Sequence, residues 1–136
     1  MKDNNCIFCK IANGEIPSST LYEDEKVRVI LDISPASKGH ALILPKEHYA
    51  NIYEISDEMA GHVIKTARKM AKKMQEELGA EGLNMVQNNG ELAGQTVFHY
   101  HMHLIPRYQG DKVNVKWETG ELSESAREEL VKKLSL

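Results

Sequence analysis

The sequence predicts an α+β domain built on a five-stranded, mainly antiparallel sheet, with one long helix and a C-terminal helix. Three observations predict this class. Strand-like segments stand on both sides of one long helical segment, a second helical segment closes the sequence, and no repeat or linker interrupts them. The 136 residues, of which 41% are hydrophobic and 27% charged, fit a single globular domain over 1–136.

Three strands are predicted in the first third of the sequence. Residues 21–23 and 27–31 form a hairpin around the charged turn 24–26, because positions 27, 29 and 31 are apolar in the alternation of a half-buried strand. The segment 32–35 contains a proline and ends the second strand. An apolar run over 40–44 then predicts the third strand.

Two helices are predicted from their caps and their apolar period. Ser56 is a good N-cap, acidic residues follow it, and Gly79 supplies the C-terminal stop. A C-terminal helix over about 123–134 begins near Ser123 or Ser125, the latter with capping-box spacing. The long helix is the most strongly patterned element, since apolar residues recur every three or four positions: Met59, Val63, Ala67, Met70, Met74 and Leu78.

Two further strands are predicted between these helices. Residues 83–87 form the fourth strand, a polar loop covers 88–95, and residues 97–105 form the fifth strand.

Charge and hydropathy exclude several classes of partner. Seventeen Lys and Arg stand against twenty Asp and Glu, and a net charge of −3 lacks the electrostatic footprint of a nucleic-acid binder. The longest apolar run, 41–45, is far too short to span a bilayer. No secretory signal is visible at the N-terminus. We therefore expect a cytoplasmic protein with no membrane or nucleic-acid partner.

Chemistry-bearing residues concentrate on the fifth predicted strand, where His99, His101 and His103 alternate. A strand places all three on one face, with successive Cα atoms about 6.6–6.8 Å apart. Three imidazoles fill a core poorly, since each needs hydrogen-bond partners, whereas imidazole serves well as a nucleophile, acid, base or metal ligand. The preceding loop 94–96 offers neutral donors to a phosphate. The opposite face carries the residues that anchor the strand in the core: Phe98, Tyr100, Met102 and Leu104.

The two cysteines, Cys6 and Cys9, are compatible with a zinc site or with thiols that are inert or redox-active. A structural zinc takes four ligands, and no second Cys-x-x-Cys is present, so histidines must complete the set. A single zinc held by His99, His101 and His103 together is disfavoured. The outer pair would be ~13 Å apart at Cα, whereas a Zn–N bond is only about 2.0–2.1 Å long.

The pattern His99-x-His101-x-His103 followed by Leu104 and Ile105 resembles the signature of the histidine triad family of nucleotide hydrolases and transferases. The N-terminal half is similar to the phosphoramidase branch, and residues 93–96 and 106–107 are also similar to the dinucleoside polyphosphate hydrolase branch. The resemblance covers nearly the whole chain, in the matching segments 6–11, 16–17, 22–24, 32–35, 39–40, 45–48 and 88–106.

The resemblance implies a purine nucleotide substrate, either a phosphoramidate or a dinucleoside polyphosphate. His101 would attack the α-phosphorus to form a covalent nucleotidyl-histidine, and His103 would assist departure of the leaving group. Asp32 matches the carboxylate that accepts the ribose hydroxyls. The nucleotide-binding positions implied are Ile7, Phe8, Asp32, Ile33, His40, Asn88, Gln95 and Thr96, with Leu42 beside the base pocket.

The resemblance also implies that His48 and His99 complete a structural Zn²⁺ site with Cys6 and Cys9, which would staple the N-terminal segment, about 1–20, to the sheet. Family members are typically homodimers, and Trp117 in the C-terminal segment would then contact a partner or cap the core. The alternative function is a zinc-stapled nucleotide-binding sensor whose hydrolysis is incidental. From spacing alone, His62 is predicted to be a solvated surface residue.

Overall fold

The computed structural model describes residues 2–136, so the first residue of the predicted domain lies outside it. The predicted α+β class is confirmed: five strands form one antiparallel sheet in the order β1-β2-β3-β5-β4. The single domain over 1–136 stays a prediction. The strands are β1 (Thr20–Glu23), β2 (Val27–Leu31), β3 (Ala41–Pro45), β4 (Gly82–Val86) and β5 (Met102–Arg107). The helices are α1 (Ile7–Ala12), α2 (Asp57–Leu78) and α3 (Glu124–Leu134), with a 3₁₀ turn at Glu91–Ala93.

The β1–β2 hairpin forms because Asp24 closes its turn. The Oδ1 atom of Asp24 accepts hydrogen bonds from the backbone N–H groups of Lys26 (2.8 Å) and Val27 (2.9 Å). His62 of α2 contributes as well, since its Nε2 lies 2.7 Å from the Oδ2 of Asp24. The prediction that His62 is merely solvated is therefore wrong, because a helix residue reaches a carboxylate 38 positions away in sequence.

These contacts predict an acid-dependent loss of stability. Burial opposes ionisation of Asp24, but the two backbone donors and His62 outweigh burial and hold the pKa of Asp24 well below its usual range. The ionised carboxylate therefore stabilises the fold above its unfolded pKa, about 3.9, and that contribution is lost as pH falls toward the lower folded value. We expect Asp24→Asn to lower the free energy of unfolding at pH 7 by about 1–2 kcal/mol.

Urea unfolding at pH 7 and again near pH 3 checks this prediction. The difference in free energy of unfolding between Asp24→Asn and the unchanged chain should be smaller at the lower pH. Glu25→Gln, at an exposed position in the same turn, should change stability little at either pH. A gap that is equal at both pH values would contradict the assignment to the charge of Asp24.

Helix α2 covers one face of the sheet and forms the main core. Its N-cap is Ser56, whose Oγ accepts the Met59 N–H at 3.1 Å, and Gly79 ends it in the left-handed region at φ 65°, as the sequence predicts. The core residues packed here include Val27, Val29, Ala41 and Ile43 from the sheet and Met59, Val63, Ala67 and Met74 from the helix.

The opposite face of the sheet is only partly covered. The short helix α1 packs there, where Ala12 joins Ile30, Leu42 and Leu44, with Phe8 against the same cluster. The sequence does not predict α1, because its six residues carry no amphipathic repeat and its N-cap is the unusual Cys6, whose Sγ accepts the Cys9 N–H at 3.3 Å. The uncovered part of this face is the place where a ligand can reach the strands.

The fifth strand is shorter than predicted, because β5 begins at Met102 and residues 97–101 are irregular. The Tyr100 N–H donates to the Tyr49 carbonyl at 2.6 Å, and the His99 ring bonds the Pro45 carbonyl at 2.8 Å. These contacts with the last residue of β3 and with the segment after it replace strand pairing. Phe98, predicted to be core, is consequently 49% exposed.

The remaining boundaries differ from prediction by small shifts. The third and fourth strands are each displaced by one residue, and α3 is capped by Ser123, whose Oγ accepts the Ala126 N–H at 3.2 Å. Among the residues that the structure describes, no helix combines the length and the apolar character that crossing a membrane requires.

Candidate active site

A cavity of about 560 Å³ opens on the face of the sheet opposite α2. One part of its wall is apolar and comes from α1 and the central strands, including Phe8, Ile30 and Leu42. Another part is polar and includes His101 and His103. The volume falls within the usual range for small-molecule sites. Polar lining residues predicted from the sequence to contact nucleotide are Asp32, Asn88 and Thr96.

His101 is oriented by the backbone of the residue two positions before it. Its Nδ1 lies 2.7 Å from the His99 carbonyl oxygen, which can only accept, so the proton resides on Nδ1 and Nε2 carries a lone pair. The ring is 8% exposed, and burial lowers the pKa of His101 despite the opposing effect of that carbonyl. His101 is therefore a neutral imidazole whose remaining nitrogen, Nε2, is available to the cavity.

His103 lies on β5 and is oriented by a second histidine. The backbone N–H of Ala36 donates to Nδ1 of His40 at 2.9 Å, so the proton of His40 resides on Nε2. That Nε2 lies 2.9 Å from Nδ1 of His103 and donates to it. His103 must then carry its own proton on Nε2. Burial, with smaller effects of His101 and His40, lowers the pKa of His103 to about 4.

The hydrogen bonds from Ala36 to His40 and from His40 to His103 form a histidine relay that leaves an N–H on Nε2 of His103. The available nitrogens of His101 and His103 therefore have opposite roles. His101 presents a lone pair and His103 presents an N–H donor, and the two rings are 5.1 Å apart between centroids. Burial also lowers the pKa of His40, against the opposing influence of Asp32. One acceptor beside one donor is the arrangement that a nucleophilic displacement with a hydrogen-bonded leaving group requires.

Asp32 lies at the end of β2, beside the histidine relay. Its Oδ2 is 3.6 Å from Nε2 of His40, and its Oδ1 accepts the Ser34 N–H at 2.8 Å. The carboxylate lines the cavity between its apolar and polar parts. It is the only carboxylate among the lining residues, so hydroxyl groups of a ligand have one clear charged acceptor there.

The structure brings most of the other predicted binding residues to the cavity. Ile7 and Phe8 enter it from α1, and the Phe8 ring stands edge-on to the His101 ring at 4.9 Å. Ile33 is 98% exposed and lies at the rim. Gly94, at φ 98°, brings its backbone close to Asn88, where an added Cβ would stand 3.6 Å from the side-chain nitrogen.

Gln95 is the predicted phosphate contact that the structure does not bring to the cavity. Its Oε1 accepts the Gly90 N–H at 2.8 Å, and its Nε2 donates to the carbonyls of Ala50 (2.7 Å) and Val97 (3.1 Å). The buried amide thus holds the loop that carries Thr96. A phosphate contact by Gln95 stays a prediction that would require these bonds to break.

Four predicted metal ligands lie together beside the cavity. The ligand atoms of Cys6, Cys9, His48 and His99 are all within 4.8 Å of one another. Nδ1 of His99 is 3.4 Å from both sulfurs, and Nδ1 of His48 is 3.3 Å from the Cys9 sulfur. A tetrahedral zinc with Zn–S of about 2.3 Å and Zn–N of about 2.0–2.1 Å separates sulfur and nitrogen by about 3.5 Å.

The protonation of His99 suits metal binding. Its Nε2–H donates to the Pro45 carbonyl at 2.8 Å, which leaves the Nδ1 lone pair toward the sulfurs. His99 is fully buried, and burial lowers its pKa to about 4, so the ring stays neutral. The residues present therefore fit a zinc ion with two thiolate and two imidazole ligands, and no position is left for a reactive water.

A second cluster is equally compact, but one of its nitrogens carries a proton where a metal ligand needs a lone pair. It contains Asp32, His40 and His103. Because Nδ1 of His40 faces the Ala36 N–H, the Nε2 of His40 holds a proton and cannot coordinate. Sequence reasoning missed this relay, since nothing in the local pattern reveals that the Ala36 amide faces the ring. It also missed α1 as the element shared by the metal ligands and the cavity.

Comparison with known proteins gives a consistent result. A family model described as HIT domain matches residues 13–110. Protein hit of Bacillus subtilis is 53% identical over 116 residues, which cover 85% of this chain and 80% of that protein. Adenosine 5'-monophosphoramidase hnt1 of Schizosaccharomyces pombe is 46% identical over 103 residues, 76% of this chain and 74% of that protein. Adenylylsulfatase HINT3 of Arabidopsis thaliana is 40% identical over 79% of this chain and 55% of that protein.

Solved structures extend the similarity to the whole fold. The crystal structure of SMU.412c from Streptococcus mutans has a TM-score of 0.93 and 43% identity, covering 98% of this chain and 85% of that one. A Zn-bound histidine triad family protein from Mycobacterium smegmatis has a TM-score of 0.77 and 37% identity, covering 85% of this chain and 84% of that one.

Proposed function

Because the chain belongs to the HIT domain family, we propose that it is a nucleotide hydrolase that cleaves at the α-phosphate of purine nucleoside phosphoramidates or dinucleoside polyphosphates. The observation that carries this proposal is the pairing of a lone pair on His101 Nε2 with an N–H on His103 Nε2 in one cavity. The names of the Schizosaccharomyces pombe and Arabidopsis thaliana relatives, a monophosphoramidase and an adenylylsulfatase, support a nucleotide substrate.

The first step of the proposed reaction is displacement at phosphorus. Nε2 of His101 attacks the α-phosphorus, a P–N bond to the enzyme forms, and the bond from phosphorus to the leaving group breaks. The Nδ1–H of His101 stays with the His99 carbonyl, which stabilises the positive charge that develops on the ring. The Nε2–H of His103 donates a hydrogen bond to the bridging atom of the leaving group and stabilises the charge that develops there, and a leaving amine takes its proton from solvent.

The second step is hydrolysis of the nucleotidyl-histidine. Water attacks the phosphorus, the P–N bond to His101 breaks, and the nucleoside monophosphate leaves. The water proton passes to solvent, and Nε2 of His101 regains the lone pair that it used in the first step. The backbone of the 94–96 loop and the Thr96 hydroxyl supply neutral donors to the phosphate oxygens.

We assign nucleoside recognition to the apolar part of the cavity and to Asp32. The apolar wall that includes Ile7, Phe8 and Ile33 takes the base, and Asp32 accepts the ribose hydroxyls. His40, which the resemblance places near the ribose and phosphate, is not among the residues that line the cavity, and we assign it the role of orienting His103. A site without any Lys or Arg among its lining residues binds phosphate through neutral donors, which agrees with a net charge of −3.

We assign zinc a structural role at Cys6, Cys9, His48 and His99. When bound, Zn²⁺ supplies a crosslink between the N-terminal segment and the sheet. The four donors hold that crosslink beside His101, because the carbonyl of His99 is the hydrogen-bond acceptor for the nucleophile.

A substrate panel tests the proposed function. Adenosine phosphoramidate, diadenosine tetraphosphate and their guanosine counterparts should be hydrolysed to nucleoside monophosphate, with one of the two bond types preferred by at least about tenfold in kcat/KM. AMP should bind as product. Tight AMP binding with no turnover of any member would contradict the enzyme proposal and favour the nucleotide-binding sensor instead.

Assembly and location complete the proposal. We place the chain in a homodimer, because β4 is an edge strand whose Met85 side chain is exposed and one face of α2 exposes Ile64. Light scattering that gives the 15.4 kDa monomer mass would contradict this. We place it in the cytoplasm, because the proposed zinc site requires its two cysteines to be reduced and not joined in a disulfide, which a reducing compartment maintains. Fractionation into an oxidising compartment would contradict that.

A further inference from the structure

Helix α1 belongs to two sites at once. Its N-cap Cys6 and its residue Cys9 supply the two sulfur donors of the metal site. Its residues Ile7, Phe8 and Ile11 line the nucleotide cavity. A helix of six residues is too short to be stable by itself in water, so its position depends on the contacts at these two sites.

Phe8 is the contact through which α1 reaches the proposed nucleophile. Its ring stands edge-on to His101, with centroids 4.9 Å apart and planes at 85°, and edge-on to the metal-site ring of His99 at 6.1 Å. Phe8 also packs against the buried cluster formed by Ala12, Ile30, Leu42 and Leu44. A shift of α1 would therefore move the ring against which His101 is packed.

His99 supplies a second connection between the sites. Its Nδ1 faces the cysteine sulfurs, and its carbonyl accepts the Nδ1–H of His101 at 2.7 Å. The residue that would hold the metal is thus the same residue that sets the tautomer of the nucleophile. Loss of the metal would release both α1 and the irregular segment around His99.

We propose that metal binding at Cys6, Cys9, His48 and His99 and nucleotide binding in the cavity are positively coupled through α1, with Phe8 as the positioning residue. The inference rests on the proposed function for the identity of the ligand, a nucleoside monophosphate. Coupling between binding sites is reciprocal, so the metal must tighten nucleotide binding by the same factor as the nucleotide tightens metal binding.

The experiment measures the effect of metal on AMP binding and the effect of AMP on metal binding. Calorimetry of AMP binding to zinc-loaded and metal-depleted protein should give a Kd that is about 5–150-fold weaker without metal. Competition with a coloured chelator should give a zinc Kd that is lower, by the same factor, with saturating AMP. Should the metal-depleted chain fail to fold, the thiolate-to-cobalt band of the Co²⁺-loaded protein provides a readout that needs no metal-free form. AMP should shift that band.

Two variants separate coupling from simple weakening of the cavity. Phe8→Leu should reduce the coupling factor toward one and abolish the AMP-induced shift of the cobalt band. Ile16→Ala, at a cavity position outside α1, should weaken AMP binding equally with and without metal and keep the band shift. Equal AMP affinity in both metal states, together with an unshifted band, would overturn the coupling and leave the proposed function intact. Absence of AMP binding in both metal states would overturn the coupling and the proposed function together.

Discussion

Replacement of His101 by Ala is expected to lower kcat by at least about 10⁴-fold on every substrate that the chain hydrolyses, while AMP affinity changes by less than about tenfold. The reason is geometric. Nε2 of His101 is the nitrogen left with a lone pair once Nδ1 bonds the His99 carbonyl. The apolar wall and Asp32, which we propose hold the nucleoside, keep their own side chains in this variant. Steady-state kinetics and AMP calorimetry on the same preparation check it.

Two controls keep this result interpretable. His62→Ala removes an imidazole of the same size at a position outside the cavity, and its activity should stay within about twofold. His101→Gly leaves a space for free imidazole, which should restore part of the activity if the lost function is nucleophilic. Residual activity above about 1% in His101→Ala, with no rescue of His101→Gly, would contradict covalent catalysis through this residue.

Replacement of Cys9 by Ser is expected to abolish zinc binding and to lower the free energy of unfolding by at least about 3 kcal/mol. Cys9 is buried, and its sulfur is near the nitrogens of both His48 and His99. Without the metal, the two sulfurs and the His99 ring lose the ion that they would coordinate. Helix α1 then keeps only its apolar packing against the sheet. Metal analysis and urea unfolding of the zinc-loaded chain and of Cys9→Ser check it.

A chelator supplies the matched control for Cys9. Exhaustive chelation should destabilise the unchanged chain by about the amount that Cys9→Ser does, and should have no further effect on Cys9→Ser. If the purified chain carries no zinc, or if chelation leaves its unfolding curve unchanged, the structural metal site is contradicted.

The sequence predicts secondary structure correctly where the signal lies in neighbouring residues. Helix α2 begins after Ser56 and ends before Gly79 because caps and apolar period are properties of neighbouring residues. Strand β2 likewise follows from its own alternation and from the Asx turn at Asp24. These elements place one interior strand of the sheet and the long helix that covers it.

The failures all involve contacts between distant parts of the sequence. Residues 97–101 alternate like a strand, yet Tyr100 bonds Tyr49 and His99 bonds Pro45, and neither partner is visible in the local pattern. The His40–His103 relay depends on the Ala36 amide, which no spacing rule identifies. The three histidines therefore do not share one strand face: His99 joins the cysteines, and only His101 and His103 line the cavity.

The Cys and His group that could hold a metal was easier to anticipate than α1, which carries half of it. If the two cysteines bind zinc, histidines must complete the ligand set, because no second Cys-x-x-Cys is present, and the family resemblance points to His48 and His99. The helix itself depends on Cys6, an unusual N-cap residue, and on packing in the cluster that contains Leu44, which is a tertiary effect.

We expect His101 to attack phosphorus and to carry the nucleotide as a covalent intermediate. Rapid acid-free quench of the zinc-loaded enzyme with adenosine phosphoramidate, followed by mass spectrometry of the intact protein and of its peptides, detects that intermediate. The adduct should have the mass of AMP less one water and lie on the peptide that contains His101, and a substrate with a chiral α-phosphorus should be hydrolysed with retention of configuration. Absence of the adduct together with inversion at phosphorus would show direct attack by water and contradict it.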